Sequence, residues 1–173
     1  METDYRPEIP VVMVHPFYIF PDVPELNLNL MPKVGLWTDE CVTEKPAYVD
    51  NIIDLIENHQ KELIVLEEAH KVTRTRKFIE QVRKGDSVMF IETKYCNPEP
   101  VSGWDVLFDK LKEINASEVG LVGGINCRFV KWFEKEGCLG VTRKRLSEQG
   151  YTPQIIRGHF FDMHEETKRW RYG

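Results

Sequence analysis

Short apolar runs alternate with amphipathic stretches along this chain, and each run ends in residues that can do chemistry. Val11–Val14 leads into His15, Leu63–Leu66 into Glu67 and Glu68, and Val88–Ile91 into Glu92 and Lys94. Val119–Val122 leads into Gly123-Gly124-Ile125-Asn126-Cys127, and Gln154–Arg157 into His159. Unbroken apolar runs of this length mark strands covered on both faces. Between them, Tyr48, Ile52, Leu55 and Ile56 recur at helical spacing, as do Phe78, Ile79 and Val82, and then Trp104, Leu107, Phe108 and Leu111. Further helices are expected at Phe129–Lys135 and Val141–Gln149, and the polar tail Met163–Arg171 reads as a terminal helix. Strand–helix alternation repeated this often implies parallel strands joined by right-handed crossovers. The expected fold is therefore α/β: a three-layer α/β/α sandwich around a mainly parallel five-stranded sheet. Parallel strands bring all the polar run ends to one edge, where open α/β sheets bind their ligands.

A length of 173 residues suits a single domain with an adequate core. The stretch Pro16–Pro46 holds five of the ten prolines, and within it Leu26-Asn27-Leu28-Asn29-Leu30 alternates with period two. Residues 16–47 thus read as a Pro-rich excursion after the first strand, serving either as a lid over the site edge or as the arm of a homodimer. A formal net charge of −5 argues against non-specific nucleic-acid binding, which needs a basic face. No apolar run approaches the roughly 20 residues that span a membrane, and the first residues lack the pattern of a signal peptide. Cys41, Cys96, Cys127 and Cys138 form no CxxC pair. The expectation is reduced thiols in a cytoplasmic protein.

Three constellations carry chemistry. Gly123-Gly124 allows a sharp turn after the fourth strand, and Asn126 is a suitable N-cap for a following helix. That would set Cys127 in a first helical turn, where the dipole and Arg128 favour a nucleophilic thiolate. The second constellation is imidazole with carboxylate: His15, Glu67, Glu68, His70, Glu92 and His159 all lie at or beyond strand ends. Of these, His15, Glu92 and His159 are the candidate ligands of a divalent transition metal such as zinc, iron or manganese, though no spacing such as HExxH supports it. The third is basic: His70, Lys71, Arg74, Arg76 and Lys77 surround Thr73 and Thr75, either of which is a candidate cap for the helix carrying Phe78. Thr73, Arg74, Thr75 and Arg76, with Arg128, are the candidate seat of an anion. No Walker-type loop and no GxGxxG follows a strand, so an ordinary nucleotide cofactor is not indicated.

The run Cys138-Leu139-Gly140-Val141-Thr142-Arg143-Lys144-Arg145-Leu146-Ser147-Glu148-Gln149-Gly150-Tyr151, together with Leu121-Val122-Gly123-Gly124 before it, resembles the nucleophile region of isochorismatase-like cysteine hydrolases. The resemblance spans about Val88 to Ile156. It implies a three-layer α/β/α fold, frequent oligomerisation and hydrolysis of small amides and related substrates. It also implies that Lys94 stands where the family's catalytic lysine is sought. The first strand differs, ending in His15-Pro16 where the family has an aspartate. About ten extra residues separate Gly124 from Cys138, and the family's last helix and strand have no counterpart here. Topology points to Cys127 as the equivalent nucleophile, and the downstream pattern points to Cys138.

The leading expectation is a small-molecule enzyme of hydrolytic type acting on an anionic amide or ester. Cys127 or Cys138 would be the nucleophile, Lys94 the charge stabiliser, and His15 or Glu92 the base. One alternative is a metal-dependent hydrolase using His15, Glu92 and His159. Another is a non-catalytic domain that binds a small anionic ligand or assembles with copies of itself.

Overall fold

The computed structural model describes residues 2–16, 39–84, 88–94, 97–127, 137–164 and 169–172. In chain order the elements are β1 (Glu2–Thr3), β2 (Val11–Val14), α1 (Asp39–Asn58), β3 (Leu63–Glu68), α2 (Val72–Val82), β4 (Val88–Thr93) and α3 (Asp105–Glu113). Then follow β5 (Glu118–Val122), β6 (Ile125–Cys127), α4 (Gly137–Glu148), β7 (Thr152–Ile156), β8 (Phe161–His164) and β9 (Arg169–Tyr172). The main sheet has the order β1-β7-β5-β2-β3-β4, and every pairing in it is parallel. Its five core strands are the five apolar runs, and β1 adds two residues at one edge. The fold is the expected α/β sandwich.

Alternation along each strand divides the core into two layers. Val11, Met13, Leu63 and Val65 meet Tyr48, Ile52, Leu55 and Ile56 of α1 and Ile79 of α2. The intervening Val12, Val14, Ile64 and Leu66 meet Leu107, Phe108 and Leu111 of α3 and Leu139 and Leu146 of α4. Period-two strands thus bury both faces, and each fully buried aliphatic side chain contributes roughly 1.5–3 kcal/mol. Tyr48 is the largest of these side chains, and its hydroxyl donates to the Pro16 carbonyl at 2.7 Å. That bond ties α1 to the exit of β2.

Numbered among themselves in chain order, the core strands lie 3-2-1-4-5. The chain goes from β2 outward through β3 to β4, then crosses back so that β5 lands on the other side of β2. The helices that follow β2 and β5 pack on opposite faces of the sheet, making the switch point at which doubly wound sheets hold ligands. The turn after β2 is Val14-His15-Pro16, not the glycine-rich turn of a dinucleotide site.

Two expectations are corrected. The tail is not a helix: β8 and β9 form an antiparallel pair, and β6 joins β8 in a second, three-stranded sheet. Phe161-Asp162-Met163-His164 and Arg169-Trp170-Arg171-Tyr172 each alternate with period two, a strand pattern that outweighs the overall polarity. The excursion after β2 ends earlier than 47, because α1 begins at Asp39. Its supposed hairpin at Leu26–Leu30, and the helix expected at Phe129–Lys135, lie outside the described residues. Replacing Tyr48 with Phe should cost about 1–2 kcal/mol in urea denaturation, since the buried Pro16 carbonyl loses its donor.

Candidate functional site

Gly123 and Gly124 carry the chain out of β5 with φ of +78° and +58°. A Cβ on Gly123 would lie 2.6 Å from the Val14 carbonyl oxygen and 3.1 Å from the Pro16 Cα. One on Gly124 would lie 2.9 Å from that same oxygen and 2.5 Å from the Cys138 Sγ. The Gly123 amide also donates to the His159 carbonyl at 2.6 Å. Only glycine permits both the left-handed backbone and this closeness. The exits of β2 and β5 are pressed together, with the first turn of α4 seated directly on them.

That geometry separates the two candidate cysteines. Asn126 and Cys127 belong to β6, with Cys127 in register with Met163, so Asn126 caps no helix and Cys127 stands in no first helical turn. The glycine pair turns the chain into the second sheet instead. Cys138, the second residue of α4, is half-buried and in no disulfide, and occupies the helical first-turn position expected of Cys127.

Immediately after β2, His15 takes φ +43°, a left-handed conformation that costs a non-glycine residue roughly 1 kcal/mol or more. Its amide still continues the ladder to the Leu66 carbonyl at 2.8 Å. The imidazole is 1% exposed and its Nε2 is 2.8 Å from the Thr93 Oγ1 of β4. Between them in the sheet stands β3, whose last residue, Glu68, is 0% exposed. The Glu68 carboxylate receives the Lys71 Nζ at 2.7 Å, and the exposed His70 lies 3.5 Å away. Burial lowers the His15 pKa from 6.5 to about 4, opposed by Glu68 and assisted by Lys71. His15 is thus neutral over the ordinary pH range.

Glu67 projects to the opposite face. Its Oε2 accepts from the Thr75 hydroxyl at 2.9 Å and its Oε1 from the Glu68 amide at 3.0 Å. Burial pushes its pKa above the ordinary carboxylate value, although these hydrogen bonds pull the other way.

The remaining candidates scatter. Thr75 is buried inside α2, where the N-cap is Lys71 without a side-chain cap bond, so neither Thr75 nor Thr73 caps the helix. Thr73, Arg74 and Arg76 are exposed, and the Arg76 guanidinium sits 4.8 Å from the centre of the Phe90 ring. Arg128 lies outside the described residues. Glu92 is exposed on the Phe90 side of β4, away from His15. Lys94 is exposed beyond the edge strand, its ammonium 2.9 Å from Glu99. His159 sits in the turn after β7, where its Nδ1 is 2.8 Å from the Arg157 carbonyl oxygen and its ring lies near Tyr5.

His15, Glu92 and His159 therefore do not converge. Four strand spacings separate β7 from β4, roughly 19 Å, too far for one ion. Among the described residues no three His, Cys, Asp or Glu side chains are grouped to hold a metal. A cleft of about 360 Å³ opens at the opposite edge, lined by Glu8, Glu62, Glu118 and neighbours. Its glutamates are already paired, Glu62 with Lys110 and Glu118 with Arg6.

Sequence reading placed Glu68 among the strand-end carboxylates and Lys71 in the basic stretch, without pairing them, and passed over Thr93. A signal existed: Glu68 shares the parity of Ile64 and Leu66, and Thr93 that of Met89 and Ile91. Each is a polar residue on a core-facing position at a strand end. No family model, curated protein or solved structure matches this chain.

Two outcomes follow. Alanine at Gly123 should destabilise the fold by about 2 kcal/mol or more, because the obstruction is backbone and cannot rotate away. Stability should rise with pH between about 4 and 6.5. His15 and His59 both titrate near 4 in the folded chain, whereas the unfolded chain takes up those protons near 6.5, so acid in this window favours unfolding. The loss from His15 alone is on the order of 3 kcal/mol. Glu67, whose folded pKa is raised, opposes the trend above its ordinary pKa. Urea titrations at several pH values should give a rising curve, flatter in His59→Gln; a flat or falling wild-type curve would contradict the assignment.

Proposed function

We propose that this chain is a cysteine-type hydrolase acting on a small anionic amide or ester, with Cys138 as nucleophile and His15 as base. One observation carries the reading: the Cys138 Sγ lies in the first turn of a helix seated on the switch point of a parallel sheet, across Gly124 from the exit of β2. The helix dipole favours a thiolate there. His15 follows β2 directly, is buried and neutral, and is held in a left-handed backbone conformation that is uncommon for a residue other than glycine. Strained residues of this kind concentrate at functional sites.

The chemistry balances simply. His15 takes the thiol proton as sulfur attacks the carbonyl carbon, and passes it to the departing amine or alcohol as the thioester forms. Water then attacks the thioester while His15 accepts its proton, and the returning thiolate recovers a proton from the imidazolium. The uncapped first turn of α2, with His70, Lys71 and Arg74 around it and no acidic residue in it, suits the substrate's negative group. Lys71 takes the charge-stabilising role first given to Lys94, which is paired with Glu99 two strands from β2. The resemblance of Cys138–Tyr151 to isochorismatase-like hydrolases agrees with Cys138 over Cys127.

Native-state alkylation with iodoacetamide, followed by mass spectrometry at each thiol, should label Cys138 fastest. Hydrolysis of activated esters of dicarboxylic acids should fall at least 100-fold in Cys138→Ser and stay near wild type in Cys127→Ser. Full activity in Cys138→Ser would overturn the reading.

A further inference from the structure

We propose that Thr93 is the positioning residue for His15: its hydroxyl accepts from the ring Nε2–H and so leaves the basic lone pair on Nδ1. The catalytic meaning of this assignment rests on the hydrolase reading above; the hydrogen bond itself does not.

Strand alternation and the observed contact disagree at His15. Val11 and Met13 belong to the layer under α1 and α2, and Val12 and Val14 to the layer under α3 and α4, so alternation sends residue 15 toward α1 and α2. Its ring instead reaches Thr93, which shares the parity of Met89 and Ile91 and so faces α3 and α4. The left-handed backbone at His15 accounts for the change of face. Cys138 packs against that same layer. A conformation that is costly for a histidine thus brings base and nucleophile to one side of the sheet, and the Thr93 hydroxyl meets the ring there.

Thr93 is well placed to hold a ring still. Although β4 is an edge strand, this end of it is clamped on both sides. Inward, Thr93 stands in register with Glu68, and its carbonyl accepts from the Ala69 amide at 3.4 Å. Outward, it bridges to Pro100, with the Lys94 amide donating to the Glu99 carbonyl and the Val101 amide to the Glu92 carbonyl. Its β-branched side chain has few rotamers to choose from. His15 and Thr93 are each 1% exposed, so bulk water does not compete for the 2.8 Å contact.

A threonine hydroxyl can give or accept a proton, and a neutral imidazole carries only one N–H. The direction follows from where the two ring nitrogens work. Nε2 is directed across β3 to β4, whereas Cys138 meets β2 from the β5 side, where Gly124 lies against the Val14 carbonyl. Nδ1 is therefore the nitrogen that takes the thiol proton, and the neutral ring keeps its own proton on Nε2, donated to Thr93. That bond is the same before and after proton uptake at Nδ1, so the ring stays in place through the cycle. Thr93 itself exchanges no proton.

The test uses the full chain with ¹⁵N-labelled histidine, read by NMR at pH 7, where His15 is neutral. His15→Gln assigns the signals. Wild type should show a protonated Nε2 and an unprotonated Nδ1. Thr93→Val keeps the shape and removes the acceptor, so the ring should become a mixture of tautomers. Its kcat for activated dicarboxylate esters should fall roughly tenfold or more, with KM within about twofold of wild type. Thr93→Ser loses the methyl group and keeps the hydroxyl, and should restore the wild-type tautomer and most of kcat. A purely structural role predicts the reverse order, with the serine variant at least as impaired as the valine one, and that result would overturn the proposal. So would a wild-type ring protonated at Nδ1, or a Thr93→Val protein with wild-type tautomer and kcat. Should Thr93→Val not fold, the wild-type tautomer and Thr93→Ser carry the test. The expected tautomers in a protein that hydrolyses no ester would sink the hydrolase reading alone. An active enzyme whose His15 tautomer ignores Thr93 would sink the positioning role alone.

Discussion

The close approach of Gly123 and Gly124 to the Val14 carbonyl is the constraint on which the rest of the site depends. Two parallel strands that leave a sheet side by side normally diverge, one crossover to each face. Here the absence of two Cβ atoms lets the β5 exit fold against the β2 exit before diverging. That single contact does three things. It turns the chain into β6 and so starts the second sheet, it seats the first turn of α4 over the sheet edge, and it brings Cys138 next to the segment carrying His15. A side chain at either glycine would separate all three.

Electrostatics at the end of β3 is managed with similar economy. Glu67 and Glu68 are consecutive, fully buried and directed to opposite faces. Burying two carboxylates is expensive unless each is satisfied locally, and the two are handled differently. Glu67 receives a hydroxyl and an amide, donors that favour its ionised form and offset part of the rise in pKa that burial causes. Glu68 receives an ammonium and has an imidazole as its neighbour. The first arrangement is closed and structural in character. The second reaches solvent through Lys71.

Much of this fold could be read from periodicity, because a strand covered on both faces has few competitors as an explanation for runs such as Val11–Val14 or Leu63–Leu66. The helices around Ile52, Ile79 and Leu107 were legible for the same reason. Strand order was not legible, since nothing local to β5 says that it will lie beside β2. His15 and Glu92 look alike at their strand ends, and only the order and the pleat place one in the interior and the other in solvent. Cys127 misled for a related reason: Gly-Gly followed by Asn reads as a helix start, and whether the chain instead enters a second sheet depends on partners in the C-terminal tail. Thr93 needed only the parity of its strand to be noticed, and the same parity would have told Glu68 from Glu67.

The strand order also governs how the chain can come together. The central strand β2 is made early, yet Val11 pairs on one side with Leu63 and on the other with Gly120, far down the sequence. Pairings so distant in sequence slow folding, because the connecting chain must be ordered before they form. An emerging polypeptide that has produced β2, β3 and β4 holds a parallel ribbon whose most apolar strand still has one edge and much of one face uncovered. Until β5 arrives, that edge is a template for any other extended chain. The N-terminal half is thus poorly suited to persist by itself, and assembly should behave as one cooperative event that awaits the second half of the chain.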